Sequence, residues 1–277
     1  MRRSICSFSR FFVFVLLVGA ATHGITRIEA QASSVKKGIA EWSAAANTIS
    51  QSNVSWYYDW RAINNVTNPP RGVQFIPMIW GASEANVTEL IQAKNSGAGI
   101  LLTFNEPDVA NQSNLTPAQA ISYWPRFEAQ NMKLGSPCVA SDATQSNSWL
   151  AQFMSGAQAA KYRVDFICLH AYQGNFDPTI ATQDLIRYVT RVHDKYGLPI
   201  WITEYALADW GGGPETPNIT AQAAFARYSA PALEMIPWVE RYAWYGDVND
   251  SKQSWSTYLN GTETAVGSAW RLAPLLK

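Results

Sequence analysis

Histidine is nearly absent from this chain: three residues in 277, one of them His23 near the N-terminus. The other two, His170 and His193, are too few for a histidine-built zinc site, and no metal or other cofactor is expected. Cysteine is equally scarce. Cys6 lies at the extreme N-terminus, which leaves Cys138 and Cys168. These two either pair in an oxidising compartment or sit as buried free thiols. Either way there is no disulfide scaffold, so a hydrophobic core must hold the fold. A cysteine nucleophile beside His170 is geometrically conceivable, but both cysteines fall inside apolar runs, where inert burial is expected.

Charge of one sign is also missing. Lys plus Arg and Asp plus Glu are 21 each, a formal net charge of +0. That balance argues against a nucleic-acid binder or an electrostatic membrane-surface protein. No G-x-S-x-G elbow and no phosphate-binding glycine loop occurs; "SGAG" at 96–99 precedes an apolar run instead of following one. No internal repeat and no linker is visible. With 47% hydrophobic and 15% charged residues, the chain has ample material for a core and no sign of bulk disorder.

The N-terminus is of another kind. Arg2, Arg3 and Arg10 flank and precede the apolar run "FFVFVLLVGAA" at 11–21. A basic start and an apolar stretch too short to span a bilayer read as a secretory signal over residues 1–32, with cleavage anywhere between 21 and 32. Residues 33–277 would then form the mature domain, with no further segment apolar enough to cross a membrane. Asn-x-Ser/Thr sequons stand at Asn53, Asn65, Asn86, Asn111, Asn114, Asn218, Asn249 and Asn260. Eight exceed what chance would place in this composition and fit a secreted glycoprotein, extracellular or wall-bound.

Along the remaining chain, short apolar runs alternate with longer amphipathic ones. Strands are expected at 36–42, 54–60, 73–81, 99–106, 132–140, 164–172, 199–205 and 240–247. Helices are expected at 83–96, from Thr116, at 147–161, 179–196 and 220–235. In the fourth of these Leu185, Val189, Val192 and Tyr196 recur at helical spacing, and Gly197 closes it. The stretch after the second strand reads as a loop. Eight alternating units predict an α/β fold, a single-domain (β/α)8 TIM barrel; a doubly wound open sheet is the runner-up.

In such a barrel, functional side chains project from the C-terminal strand ends. Those ends carry Trp42, Tyr58, Asp59, Trp60, Trp80, Asn105, Glu106, His170, Tyr172, Glu204, Tyr205, Trp244 and Tyr245. Glu106 and Glu204 end the fourth and seventh apolar runs, on opposite sides of a closed sheet. Two facing carboxyls, one protonated and one ionised, are the minimum equipment for glycoside hydrolysis. Either glutamate alone could equally be a helix-start charge or a surface ion pair. The pair in matched positions, among aromatic rings that stack on sugar faces, points to carbohydrate. Sugar contact is expected for Trp80 and Trp244, and also for Trp42, Trp56 and Tyr205. Trp124 and Trp149 lie on helices and read as structural. "DWGGGP" at 209–214 reads as a loop over the site with Trp210 at its base.

At "FIPMIWG", "LLTFNEPD" and "PIWITEYA" the sequence resembles glycoside hydrolase family 128, and the likeness runs from about residue 36 to 272. The resemblance implies a retaining enzyme acting on β-1,3-glucan. It implies Glu106 as general acid/base, Glu204 as nucleophile and Asn105 as a partner of the sugar 2-hydroxyl. It further implies His170 and Tyr172 beside the nucleophile, and Trp244 as the platform under the sugar. The family's opening strand usually reads Lys-Arg-Gly and a short run to Trp; here it is "KKGIAEW", with Glu41 before Trp42. The expectation is a secreted, endo-acting β-1,3-glucanase, monomeric, with β-glucan as its partner. The alternative is a β-glucan-binding protein on the same scaffold without catalysis.

Overall fold

A computed structural model of the chain describes residues 34–42, 46–211, 215–246 and 254–273. The expected signal and the sequon at Asn249 lie outside the described residues.

Eight parallel strands alternate with helices. They are β1 (Lys37–Ala40), β2 (Trp56–Tyr58), β3 (Gln74–Phe75), β4 (Ile100–Asn105), β5 (Lys133–Cys138), β6 (Ile167–His170), β7 (Ile200–Tyr205) and β8 (Val239–Tyr245). Six form one sheet in the order β3-β2-β1-β8-β7-β6, and β4 pairs with β5. Isolated parallel bridges join the two sheets at both seams, Met78 to Leu102 and Gly135 to Phe166 with Val139 to Leu169. The result is a ring of eight, as the alternation predicts. Its seams have a chemical cause. Pro77 beyond β3 and Pro137 within β5 have no N–H to give a ladder. The long third run of the sequence therefore yields only a two-residue strand.

Two apolar layers follow from strand alternation. Inside the ring, Trp56, Tyr58, Met78, Phe166 and Trp201 pack with the two cysteines. Gly38 of β1 is required here, because a Cβ would meet the Trp56 indole at 2.3 Å. Outside the ring, the opposite strand faces pack under the helices.

The helices are α1 (Ala46–Gln51), α2 (Val87–Asn95), α3 (Pro117–Glu128), α4 (Trp149–Ala159), α5 (Pro178–Tyr196), α6 (Ile219–Glu234) and α7 (Ala265–Leu272). None of the described helices is long and apolar enough to cross a membrane. α3 begins with a capping box between Thr116 and Gln119 and has Pro117 in its first turn. α5 is capped by Asp177, whose carboxylate accepts the N–H groups of Thr179 and Ile180. It buries Ala181, Leu185, Val189 and Val192, and Gly197 ends it at φ 67. Each large aliphatic side chain so buried stabilises by about 1.5–3 kcal/mol. The connection from β2 to β3 is a loop, as expected, and the short α1 joins β1 to β2. A small antiparallel pair, β9 (Tyr258–Leu259) and β10 (Thr262–Glu263), precedes α7.

Candidate active site

A groove of about 1140 Å³ opens over the C-terminal ends of the strands. Glu106 and Glu204 both line it. Register shifts bring them there. In β7 the pairing with β8 slips between Ile202 and Tyr205. Both of these residues face the helix layer, so the slip leaves Glu204 free to turn to the groove. In β4 the pairing with β5 slips twice before Asn105. Bulges of this kind re-aim side chains at sheet rims. Glu106 then adopts φ 41, the left-handed region, with its N–H donating to the Cys138 carbonyl at 2.8 Å.

The surroundings of the two carboxyls differ. Glu204 is buried and accepts three hydrogen bonds. Its Oε1 takes the Tyr58 hydroxyl at 3.0 Å and the Trp60 indole N–H at 2.8 Å. Its Oε2 takes the Tyr172 hydroxyl at 2.7 Å. Burial pushes the Glu204 carboxyl upward; His170 opposes that, Glu106 reinforces it, and the Tyr172 and Trp60 donors pull it back. Glu106 is half-buried, and its one side-chain partner among the described residues is His170, whose Nδ1 lies 2.6 Å from Oε1. The other imidazole nitrogen is 3.3 Å from Glu204 Oε1, without the alignment of a hydrogen bond. Burial works against the charged imidazole, but the Glu204 and Glu106 carboxyls outweigh it and His170 is raised. One oxygen from each glutamate and a nitrogen of His170 all fall within 4.8 Å of one another.

The groove walls are unlike. The ends of β8, β1, β2 and β6 and the loop after β7 contribute a run of touching rings: Trp42 on Trp60, Trp60 on Tyr245, Tyr245 on Tyr172, Tyr172 on Trp210. The Arg61 guanidinium lies 4.5 Å from the Trp42 ring and 3.6 Å from the Asp59 carboxylate. The opposite wall, from the β4 and β5 ends and α5, is polar, with Asn111, Gln112, Asp142, Arg187 and Arg191. Asn105 donates to Gln112 at 3.2 Å, while its carbonyl oxygen is buried with no partner among the described residues. Behind the aromatic wall, burial raises Asp59 to about 6, against the pull of Arg61.

Of the residues expected at the site, Glu106, Glu204, Asn105, His170, Tyr172, Trp80 and Trp42 line the groove. Three do not. Trp244 is fully buried under the helices, its indole donating to the Trp255 carbonyl at 2.9 Å. Tyr205 packs on Phe225 and Trp244, its hydroxyl 3.2 Å from Ser229 Oγ. Trp56 fills the barrel interior against Trp201 and donates to the Lys36 carbonyl. Tyr205 and Trp244 are the outward members of strands whose successive side chains point to opposite faces, whereas Trp56 points inward like Tyr58 but lies two residues deeper in the barrel. Next to Trp244, Tyr245 takes the groove position, and next to Tyr205 it is Glu204. The Glu204 donors Tyr58 and Trp60 are strand-end residues to which the sequence alone assigns no role. Cys138 and Cys168 are joined as a disulfide, deciding between the two alternatives the sequence left open. Trp210 lines the groove as expected of its loop, whose residues 212–214 lie outside the described residues.

Residues 37–270 match a family model described as a glycosyl hydrolase catalytic core. The chain is 26% identical over 204 residues to alkali-sensitive linkage protein 1 of Schizosaccharomyces pombe, covering 71% of this chain and 35% of that one. It thus spans about a third of that curated relative's length. Among solved structures, a family 128 subgroup I endo-β-1,3-glucanase from Amycolatopsis mediterranei is 38% identical, with TM-score 0.82 over 87% of this chain and 100% of that one. Structures of that enzyme with a glutamate replaced by alanine or by glutamine hold laminari-oligosaccharides. A subgroup II endo-β-1,3-glucanase from Sorangium cellulosum is 26% identical at TM-score 0.71, covering 87% and 100%. A subgroup III curdlan-specific exo-β-1,3-glucanase from Blastomyces gilchristii is 26% identical at TM-score 0.70, covering 87% and 99%.

Proposed function

The chain belongs to the glycosyl hydrolase catalytic core family, and from that membership we propose a secreted, endo-acting β-1,3-glucanase that retains the anomeric configuration. The observation that carries the chemistry is the short separation of two unlike carboxyls. An oxygen of Glu106 and one of Glu204 lie within 4.8 Å. Retaining pairs stand about 5–5.5 Å apart, whereas inverting pairs need roughly 6.5–9.5 Å to admit a water.

Glu204 is the nucleophile. Three donors meet it, an environment suited to an acceptor-only carboxylate. Its oxygen attacks the anomeric carbon as the bond to the leaving sugar oxygen breaks, and Glu106 delivers a proton to that oxygen. The product is a glycosyl ester on Glu204. Glu106, now a carboxylate, takes a proton from water; the water oxygen attacks the same carbon and Glu204 departs. The unpartnered Asn105 carbonyl is an acceptor for a hydroxyl of the reacting sugar. The ring-lined wall offers faces for the flat C–H patches of glucose units.

The β-1,3 linkage and endo action rest on the Amycolatopsis and Sorangium relatives. Export rests on the basic, apolar N-terminus and the sequons. The test is the first-formed product from laminarin followed by proton NMR, with a product profile on β-1,3-, β-1,4- and β-1,6-glucans. Initial β-anomeric oligosaccharides from the β-1,3 polymer alone are expected. Initial α-anomers would overturn retention, cleavage of another linkage would overturn the substrate, and no new reducing ends would leave only glucan binding.

A further inference from the structure

One of the two seams of the ring lies where β5 meets β6. These strands share only isolated bridges. Pro137 has no N–H to offer, and the Cys168 N–H donates to the Ser136 hydroxyl at 2.9 Å instead of to a backbone carbonyl. The disulfide between Cys138 and Cys168 spans this break, with both residues fully buried.

Each end of the cross-link reaches Glu106 by its own route. The Cys138 carbonyl accepts the Glu106 N–H and so anchors the left-handed backbone there. A non-glycine residue keeps that conformation only where its surroundings over-determine it. Cys168 lies two residues before His170 on β6. The His170 N–H donates to the carbonyl of Val139, next to Cys138, at 3.0 Å, and its imidazole meets the Glu106 carboxyl. Backbone and side chain of Glu106 are therefore referenced to the same covalent bridge. The nucleophile is tied to the bridge less directly: its carbonyl accepts the Ala171 N–H of β6 and the Thr203 hydroxyl oxygen is 3.2 Å from the Cys168 sulfur, but Glu204 sits on β7, which is held by ladders on both sides.

We propose that the Cys138–Cys168 disulfide is a positioning element for Glu106, clamping the open seam so that the acid/base carboxyl stays aligned. This rests on the reading of Glu106 as acid/base. A staple that only stabilises would lower the melting temperature and leave turnover alone at temperatures where the protein is folded. A positioning element acts on the step that needs a proton, and displacements of about 1 Å at such a group can cost on the order of a hundredfold in rate.

The experiment compares the wild type with the Cys138→Ala, Cys168→Ala double variant well below its melting temperature, on laminarin and on a 2,4-dinitrophenyl laminaribioside. Dinitrophenolate leaves without protonation. On laminarin kcat is expected to fall about 10- to 100-fold with KM within about twofold, and the pH–rate profile to shift. On the dinitrophenyl substrate the first-turnover burst of dinitrophenolate, which precedes the step that needs Glu106 as base, is expected to keep a rate within about threefold of wild type. Unchanged kcat on laminarin, or a burst rate on the dinitrophenyl substrate that falls as far as kcat on laminarin, would overturn the proposal. If the alanine pair fails to fold, the Cys138→Val, Cys168→Ala pair and the wild-type protein reduced by phosphine in low urea give the same comparison. Failure of the underlying reading is distinguishable, because Glu106→Gln would then hydrolyse laminarin at the wild-type rate.

Discussion

His170 Nδ1 lies 2.6 Å from Glu106 Oε1, and the same ring reaches back to within 3.3 Å of Glu204. One buried imidazole thus touches both carboxyls of the proposed reaction. The neighbouring Glu204, Glu106 and Asp108 carboxyls raise His170 despite its burial. A raised histidine contributes stability that is complete below its unfolded value of about 6.5 and is lost as pH rises through the folded value. The melting temperature of His170→Gln should therefore fall furthest below wild type under about pH 6.5, and the gap should narrow at alkaline pH. Thermal unfolding of both proteins across pH measures this; a gap that widens with pH would contradict the charged bridge.

Trp60 donates its indole N–H to Glu204 while its ring forms part of the groove wall. Trp60→Phe keeps a ring and removes the donor. A hydrogen bond to a charged group contributes about 1.5–3 kcal/mol, so kcat should drop by roughly 10- to 150-fold with a smaller change in KM. Steady-state kinetics on laminarin decide this, and an unchanged kcat would remove Trp60 from the support of the nucleophile.

Asp59 is buried and raised to about 6 from 3.8, with Arg61 only partly compensating. The unfolded chain ionises first as pH rises, so the wild type loses stability between about 3.8 and 6. Asp59→Asn should match the wild type below pH 3.8 and be more stable above pH 6, by about 3 kcal/mol. Chemical denaturation at the two pH values tests it. Equal stability at both would show that Arg61 already neutralises the cost.

Trp42 and Trp244 should separate cleanly. Trp42 is half-exposed in the groove, and Trp244 is fully buried among Tyr205, Phe225 and Trp270. Trp42→Ala should raise KM for laminarin and leave the melting temperature nearly unchanged. Trp244→Ala should cost about 3–5 kcal/mol of stability, with the folded fraction keeping its KM. The reverse pattern would mean that the ring assigned to the core contacts sugar.

That contrast also shows where sequence reading stops. The eight apolar runs announce the barrel because strands buried on both faces are apolar throughout. The same property hides which residue of a strand faces which layer. Trp244 and Tyr245 look equivalent in the sequence, and so do Glu204 and Tyr205 until charge breaks the tie. Parity counted from Ile202 would send Glu204 outward with it, were it not for the register slip before Tyr205. Such slips leave no compositional mark. Glu106 and Glu204 were legible because a carboxyl ending an apolar run is chemically conspicuous. Trp60 was not, since its approach to Glu204 depends on a left-handed backbone at φ 60. The disulfide is not legible because two cysteines 30 residues apart carry no information on their separation in space.

Glu106 at φ 41 sets chemistry against folding. The position suits glycine, which enters the left-handed region without the roughly 1–2 kcal/mol steric cost that other residues carry. A mutation here that abolishes turnover can leave the protein as robust as before, since relief of the backbone offsets the lost imidazole contact. A lineage released from selection for hydrolysis would drift toward glycine or asparagine at this site while its stacked rings went on holding polysaccharide. Enzyme and lectin are then a single codon change apart in this barrel.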